Sequence, residues 1–354
     1  MKLRRVSVNW VLVILLAVGR GGEGDIVAAA EVLSSPPCQF PAIYNFGDSN
    51  SDTGGISAAF YPAGSPSGET YFGRPSGRGS DGRLMIDFIS EHLGLPYLSA
   101  YLDTMRTNYR HRANFATGGS TVRRPTESWF LNGVSPFSLK IQTAQFDQFK
   151  VRSTYYFKQY GNKKDDDDDE MKLRDSRLPR PEDFSKALYV FDIGQNDLAA
   201  GFRNLGYEHL ERLNETIPDV VEQLAAAGRH LYGQGGRAFW IHNTGPIGCL
   251  PITHRWVVDP VDGYLDEVGC VKDQNRMASE FNRQPEDKVR LLRDELAGAA
   301  LTYVDVYLAK YELISGAKEQ GMLIVKTDPL FSNTKRKKKR ESGEGCYFRS
   351  TFCT

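Results

Sequence analysis

The sequence has no apolar run long enough to cross a bilayer. Its longest, Val8 to Val18, is about 11 residues and is interrupted by Asn9, whereas a span needs roughly 20. It has no net charge, because 44 Lys and Arg balance 44 Asp and Glu across 354 residues. The balance is uneven along the chain: residues 326–354 carry a net +5 and residues 1–30 a net +2, which leaves 31–325 near −7. A mildly acidic body has no electrostatic reason to seek nucleic acid. Cysteine is scarce. The five are Cys38, Cys249, Cys270, Cys346 and Cys353, and an odd count means at least one unpaired thiol or a missing partner. Three catalytic templates are absent: H-E-x-x-H, the Walker A loop and the G-x-S-x-G elbow. No internal repeat is visible. Aromatics at 11%, with 34 Gly and 17 Pro, belong to an ordinary globular core and exclude a disordered or collagen-like chain.

Residues 1–30 read as a secretory signal peptide. Lys2, Arg4 and Arg5 supply the charged start, the Val8–Val18 run the apolar centre, and Ala28-Ala29-Ala30 small residues for cleavage. Export permits disulfides. Asn214-Glu215-Thr216 is the one N-x-S/T sequon. It lies just before Ile217-Pro218, where a helix is expected to start, so Asn214 is expected to be exposed and glycosylated. The acidic run Asp165–Glu170 has basic flanks and reads as a solvated loop rather than a metal site. The pattern G-x-G-x-x-G occurs at Gly19/Gly21/Gly24 and Gly77/Gly79/Gly82. Neither follows a strand, so both read as turns and no dinucleotide is expected.

Strand-like runs alternate with helical patterns. Phe40–Phe46, Ala113–Ala116, Ala187–Ile193, Ala238–His242 and Ala300–Val306 are apolar runs of strand length. Arg83–Leu93, Leu139–Tyr160, Pro218–Tyr232, Val271–Leu296 and Leu308–Lys318 have helical spacing, with Pro218 at a helix start and Pro285 as a kink or break. This order predicts an α/β fold, a parallel sheet with helices on both faces.

Three strand-end loops combine Gly with polar side chains. In Phe46-Gly47-Asp48-Ser49-Asn50-Ser51-Asp52-Thr53-Gly54-Gly55, an apolar strand runs into a turn and then a capping cluster. Ser49 is thereby placed at the carboxyl end of the first strand, where α/β sheets bind ligands, with its backbone N–H near a helix start. A plain capping turn would use the same residue types. Asn114–Thr121 and Ile193–Asp197 repeat the arrangement after two other strands.

Together these segments resemble the GDSL (SGNH) hydrolase family, specifically its plant secreted esterase/lipase branch. Ser80–Leu84 and Asn243–Pro251 extend the resemblance, which covers roughly residues 38–322 in family order. It implies a three-layer α/β/α sandwich around a parallel sheet of about five strands. It implies a nucleophile at Ser49, oxyanion donors at Gly119 (backbone N–H) and Asn196 (side-chain amide), and a third donor in the Ser49 N–H. Asp48 is implied to be a structural hydrogen-bonding residue. The expected substrate is an ester (lipid, acetylated polysaccharide or small acyl ester), with no cofactor, no metal and an open oligomeric state. Cys249 and Cys270 flank a 20-residue excursion and are expected to form a disulfide.

The family takes its base and orienting acid from a late Asp-x-x-His motif, and no Asp-x-x-His occurs in these 354 residues. The six histidines, His92, His111, His209, His230, His242 and His254, read as structural or surface residues. The resemblance fades near Gly321–Thr327, and residues 326–354, with the Lys335–Arg340 basic run, are expected to form a divergent, disordered tail. The organisation expected is therefore a signal at 1–30, a hydrolase domain at 38–325 and the tail. Two readings stay open: a secreted serine ester hydrolase, inactive as written for want of the catalytic Asp and His, and a non-catalytic ester or glycan binder. Glycoside hydrolysis is a weaker possibility, since it needs a carboxylate pair and none stands out.

Overall fold

Five short strands form one parallel sheet: β1 (Ile43–Gly47), β2 (Arg112–Asn114), β3 (Leu188–Asp192), β4 (Ala238–His242) and β5 (Ala300–Val304). Their spatial order is β2-β1-β3-β4-β5, and every neighbouring pair runs parallel. The computed structural model describes residues 39–105, 107–124, 135–161, 176–205, 210–254, 257 and 260–317. The proposed signal, the acidic run, His209 and the basic tail lie outside the described residues.

Parallel strands need long crossovers, and helices supply them. They are α1 (Gly55–Ala59), α2 (Glu69–Phe72), α3 (Met85–His92), α4 (Leu139–Gly161), α5 (Asp183–Lys186), α6 (Gln195–Leu205), α7 (Leu210–Gly233), α8 (Pro251–His254), α9 (Lys272–Glu295) and α10 (Val306–Ser315). This is the α/β architecture read from the sequence.

Alternation along the strands sends successive side chains to opposite faces. Tyr44 and Phe46 of β1, Tyr189 and Phe191 of β3, and Phe239 and Ile241 of β4 face one side, where Phe146 and Phe149 of α4 and the helices α7 and α9 cover them. Ring centroids there lie 5.3 Å apart for Tyr44–Phe146 and 5.2 Å for Phe46–Phe115. Ile43, Leu188 and Val190 face the other side, against Leu84, Ile86 and Leu98 around α3. The aromatic layer makes the first face the larger core, since each such ring buries on the order of 150–250 Å².

Pro218 departs from expectation, and at Pro285 one of the two expected alternatives is excluded. α7 begins at Leu210 and contains Pro218 in its interior, so the helix does not start there. α9 runs from Lys272 to Glu295 with Pro285 inside it, so the expected break does not occur. In both, a buried stripe continues through the proline: Ile217, Val220, Val221 and Leu224 in α7, and Phe281, Pro285, Val289 and Leu292 in α9. Packing of that stripe outweighs the one lost helix bond. Asn214 consequently lies within α7, on its exposed surface, and not ahead of a helix. Cys249 and Cys270 are joined by a disulfide with Cα atoms 4.4 Å apart, and it ties the 3₁₀ turn Ile247–Cys249 to the start of α9.

Candidate active site

Strand order reverses between β1 and β3, since β2 lies on one side of β1 and β3 on the other. Loops leaving the carboxyl ends of such strands diverge and open a crevice, the usual ligand site of an open α/β sheet. Ser49 follows β1 and Asn196 opens α6 just after β3, so both stand at this switch point.

The turn after β1 is built by backbone demands. Asp48 N–H continues the ladder by donating to the Asp192 carbonyl at 3.1 Å. Gly47 permits that approach, because a Cβ there would lie 2.7 Å from the Asp192 carbonyl oxygen. The Gln142 amide of α4 closes the strand end, accepting from Gly47 N–H at 2.9 Å and donating to Gly47 O at 2.8 Å. Beneath the turn, Asn45 Nδ2 donates to Ser51 Oγ at 3.0 Å and to Asn114 Oδ1 at 2.8 Å. Asn114 Nδ2 donates in turn to the Ser51 carbonyl at 2.6 Å and to Thr53 Oγ1 at 2.9 Å. All of these residues are buried, and buried polar groups need such partners.

The second and third segments are tied to the first. A Cβ on Gly118 would lie 3.8 Å from Ser49 Cβ, so the Gly118-Gly119 loop runs beside the serine. Gly119 has φ 78°, a left-handed conformation that favours glycine. Asn196 Nδ2 donates to the Ser120 carbonyl at 2.9 Å, which uses one of its two hydrogens. Asn50 Nδ2 donates to Gln195 Oε1 at 3.3 Å, joining the residue after Ser49 to the residue before Asn196. Ser49 and Gly119, on two loops, and Asn196, in the first turn of α6, are thus carried by segments bonded to one another at one sheet edge. Ser49 is 8% exposed and its Oγ has no hydrogen-bond partner among the described residues.

A charged cluster lies directly behind the turn. Asp48 and Asp192 are both buried. Burial, and then the Asp192 carboxylate, push the Asp48 carboxyl up to about 8, against the opposing hydrogen bonds from Asn50 and the charge of Lys310. Burial also acts to raise Asp192, but His242, Lys310 and Ser51 outweigh it and hold that carboxyl below its ordinary value. His242 Nδ1 stands 3.9 Å from Asp192 Oδ2, beyond hydrogen-bond length, so its effect is through space. Asp48 therefore holds the proton of the pair: its carboxyl is the one pushed up and its Oδ2 is unpartnered among the described residues, while the Asp192 carboxyl is held down. Lys310 of α10 reaches the turn itself, with Nζ 3.3 Å from Asn50 Oδ1.

The described histidines take other places. His230 bonds Asp147 at 2.9 Å, His111 Nδ1 pairs with the Pro41 carbonyl at 2.7 Å, and His92 is exposed on α3. His254 closes α8. None bonds Ser49 Oγ.

Sequence reasoning passed over several residues that shape this site. Asp52 accepts N–H bonds from Gly54, Gly55, Ile56 and Gly118, at 2.5 to 3.2 Å. Asp192 and Lys310 were equally unmarked, and the sequence reads His242 only as a structural or surface residue. Asp52 sits three residues after Ser49, a spacing that could have flagged it as a cap. Lys310, 260 residues away from Asn50, had no local signal.

Residues 43–335 match a family profile described as GDSL-like Lipase/Acylhydrolase. A GDSL esterase/lipase of Arabidopsis thaliana is 56% identical over 313 residues, covering 88% of this chain and 75% of the relative. Alpha-L-fucosidase 3 of Arabidopsis thaliana is 48% identical over 285 residues, 80% of this chain and 73% of that protein. The GDSL esterase/lipase ACHE of Zea mays is 48% identical over 299 residues, 83% and 70% respectively.

Proposed function

The chain belongs to the GDSL-like lipase/acylhydrolase family, by family a carboxylic-ester hydrolase, and on that premise we propose that its chemistry is attack of the Ser49 hydroxyl on an ester carbonyl. The carbonyl carbon gains the Ser49 oxygen, and its own oxygen becomes the oxyanion. Gly119 N–H, the second hydrogen of the Asn196 amide and the Ser49 N–H are the donors that meet it. Each such donor contributes roughly 10²–10³ in rate, because it is fixed before charge develops. Breakdown expels the alcohol and leaves an acyl group on Ser49, which water then removes. The observation that carries this reading is the bonding of the three segments into one crevice at the strand-order switch point.

The hydroxyl proton needs an acceptor, and no described side chain bonds Ser49 Oγ. That observation supports the second reading: a non-catalytic chain that holds esters or acetylated glycans. The name of the fucosidase relative does not extend to this site. Asp48 and Asp192 are both buried beneath the turn, and a glycosidase pair must flank an open bond. Export follows from residues 1–30 and agrees with the Cys249–Cys270 disulfide. No described helix is long and apolar enough to cross a membrane. Asn214 is the proposed glycan site, and the hydrolase domain is proposed to occupy residues 38–325.

A serine-directed fluorophosphonate probe tests the assignment. Prolonged incubation should modify Ser49 alone, as read by peptide mapping, and the Ser49→Ala variant should stay unmodified. Modification elsewhere, or persisting in Ser49→Ala, overturns Ser49 as nucleophile. No modification, with an acetylated polysaccharide still bound, selects the second reading.

A further inference from the structure

The Gly118-Gly119 loop is held at two ends by carboxylates that the chemistry above does not use, Asp52 buried and Asp197 half-buried. Asp52 Oδ2 accepts from Gly118 N–H at 2.8 Å, just before Gly119. Asp197, at the first turn of α6, accepts from Val122 N–H at 2.8 Å and from Arg123 N–H at 3.1 Å, just after it. Its neighbour Asn196 grips the same loop at Ser120 O, 2.9 Å away. Two consecutive residues of one helix start therefore fix the loop by its backbone, one accepting and one donating. The N–H of Gly119 has no side chain to aim it. Its direction is set by the peptide planes on either side, and those planes are set by these bonds. A carboxylate suits the task, because it accepts two N–H bonds at once and gains from the positive end of the helix dipole.

We propose that Asp197 is a positioning residue of the oxyanion site, its carboxylate holding the loop so that the Gly119 N–H and the Asn196 amide face the same point beside Ser49. This rests on the assignment of Gly119 and Asn196 as donors. A consequence is pH dependence. Burial pushes the Asp197 carboxyl up to about 6 against the two N–H bonds and Arg123. Arg123, on the gripped loop, pairs at 3.0 Å with Asp219 of α7, and both are half exposed. On protonation the group keeps one good acceptor for two donors and must place a hydrogen of its own, so the grip loosens as pH falls through about 6.

The test compares the full chain with Asp197→Asn, which keeps the shape and loses the second acceptor. Hydrogen exchange at the Gly118, Gly119 and Ser120 amides and the rate of fluorophosphonate modification at Ser49 are measured from pH 5 to 8. In the parent, protection of those amides, corrected for intrinsic exchange, and the modification rate should both fall as pH drops through about 6. In Asp197→Asn both should be lower at pH 8, by about tenfold for one lost bond to a charged acceptor, and the limb near pH 6 should vanish. A merely structural role would lower the urea midpoint without removing that limb. Protection that is flat with pH in the parent, or a limb retained in Asp197→Asn, overturns the proposal. If protection behaves as expected and neither protein is modified at Ser49, the clamp stands and the nucleophile assignment falls.

Discussion

Asp48→Asn should leave the fold intact and remove a large pH dependence from its stability. The Asp48 carboxyl is buried beside Asp192 and titrates near 8, so it is neutral at pH 7. Asparagine copies that neutral acid: its Oδ1 can still accept from Asn50 N–H and Nδ2, both now at 2.9 Å, and its amide nitrogen takes the place of the unpartnered Oδ2. The folded pKa is raised above the unfolded one, about 3.9 for a free Asp. The stability this group contributes is therefore fully present below about pH 4 and is lost as pH rises through about 8. Between those limits the folded state holds one proton more than the unfolded, which costs about 1.4 kcal/mol per pH unit. From pH 5 to pH 7 the parent should lose about 3 kcal/mol that the variant does not lose. Asp192 does not blur the comparison, because its lowered carboxyl is ionised in both folded and unfolded chains across that interval. Urea unfolding of both proteins at pH 5, 6 and 7 reads the difference directly. Parallel pH profiles would refute the shared-proton argument, and so would a variant less stable than the parent at pH 7.

Three further outcomes follow from the structure. Serine at both Cys249 and Cys270, 21 residues apart, should lower stability by about 3 kcal/mol on the chain-entropy account, seen as a shift in urea midpoint that dithiothreitol reproduces in the parent. Arg78 forms a buried two-point pair with Asp87, Nη2–Oδ1 2.9 Å and Nε–Oδ2 3.1 Å, so Arg78→Ala should cost about 3–5 kcal/mol by stranding a buried carboxylate, measured by the same titration. Hydrolysis of a short acyl ester by the 354-residue chain should run near background, since loss of a triad histidine costs on the order of 10⁶. It should rise when an Asp-x-x-His segment replaces residues 328–354, and Ser49→Ala should abolish the gain.

The alternation of apolar residues, the Gly-polar segments and the order of the elements placed five parallel strands, five of the described helices and the strand ends next to Ser49, Gly119 and Asn196, but not the helix α6 that carries Asn196. These are local signals: strand period, helix period and turn chemistry are written within a few residues of where they act. What local signals misjudged was the helix start at Pro218, and of the kink or break read at Pro285 the break does not occur, because a buried stripe contributed by the rest of the fold outweighed a one-residue preference. Tertiary structure alone decided which groups surround the turn. Asp48 and His242 both come to Asp192 because β1 and β4 end level with β3 in the sheet register. Lys310 reaches Asn50 from 260 residues away, and Asp197 finds Val122 across 75. Such contacts leave no mark in a single sequence, since the charge of a side chain is legible there but its neighbours, its burial and hence its protonation belong to the folded chain.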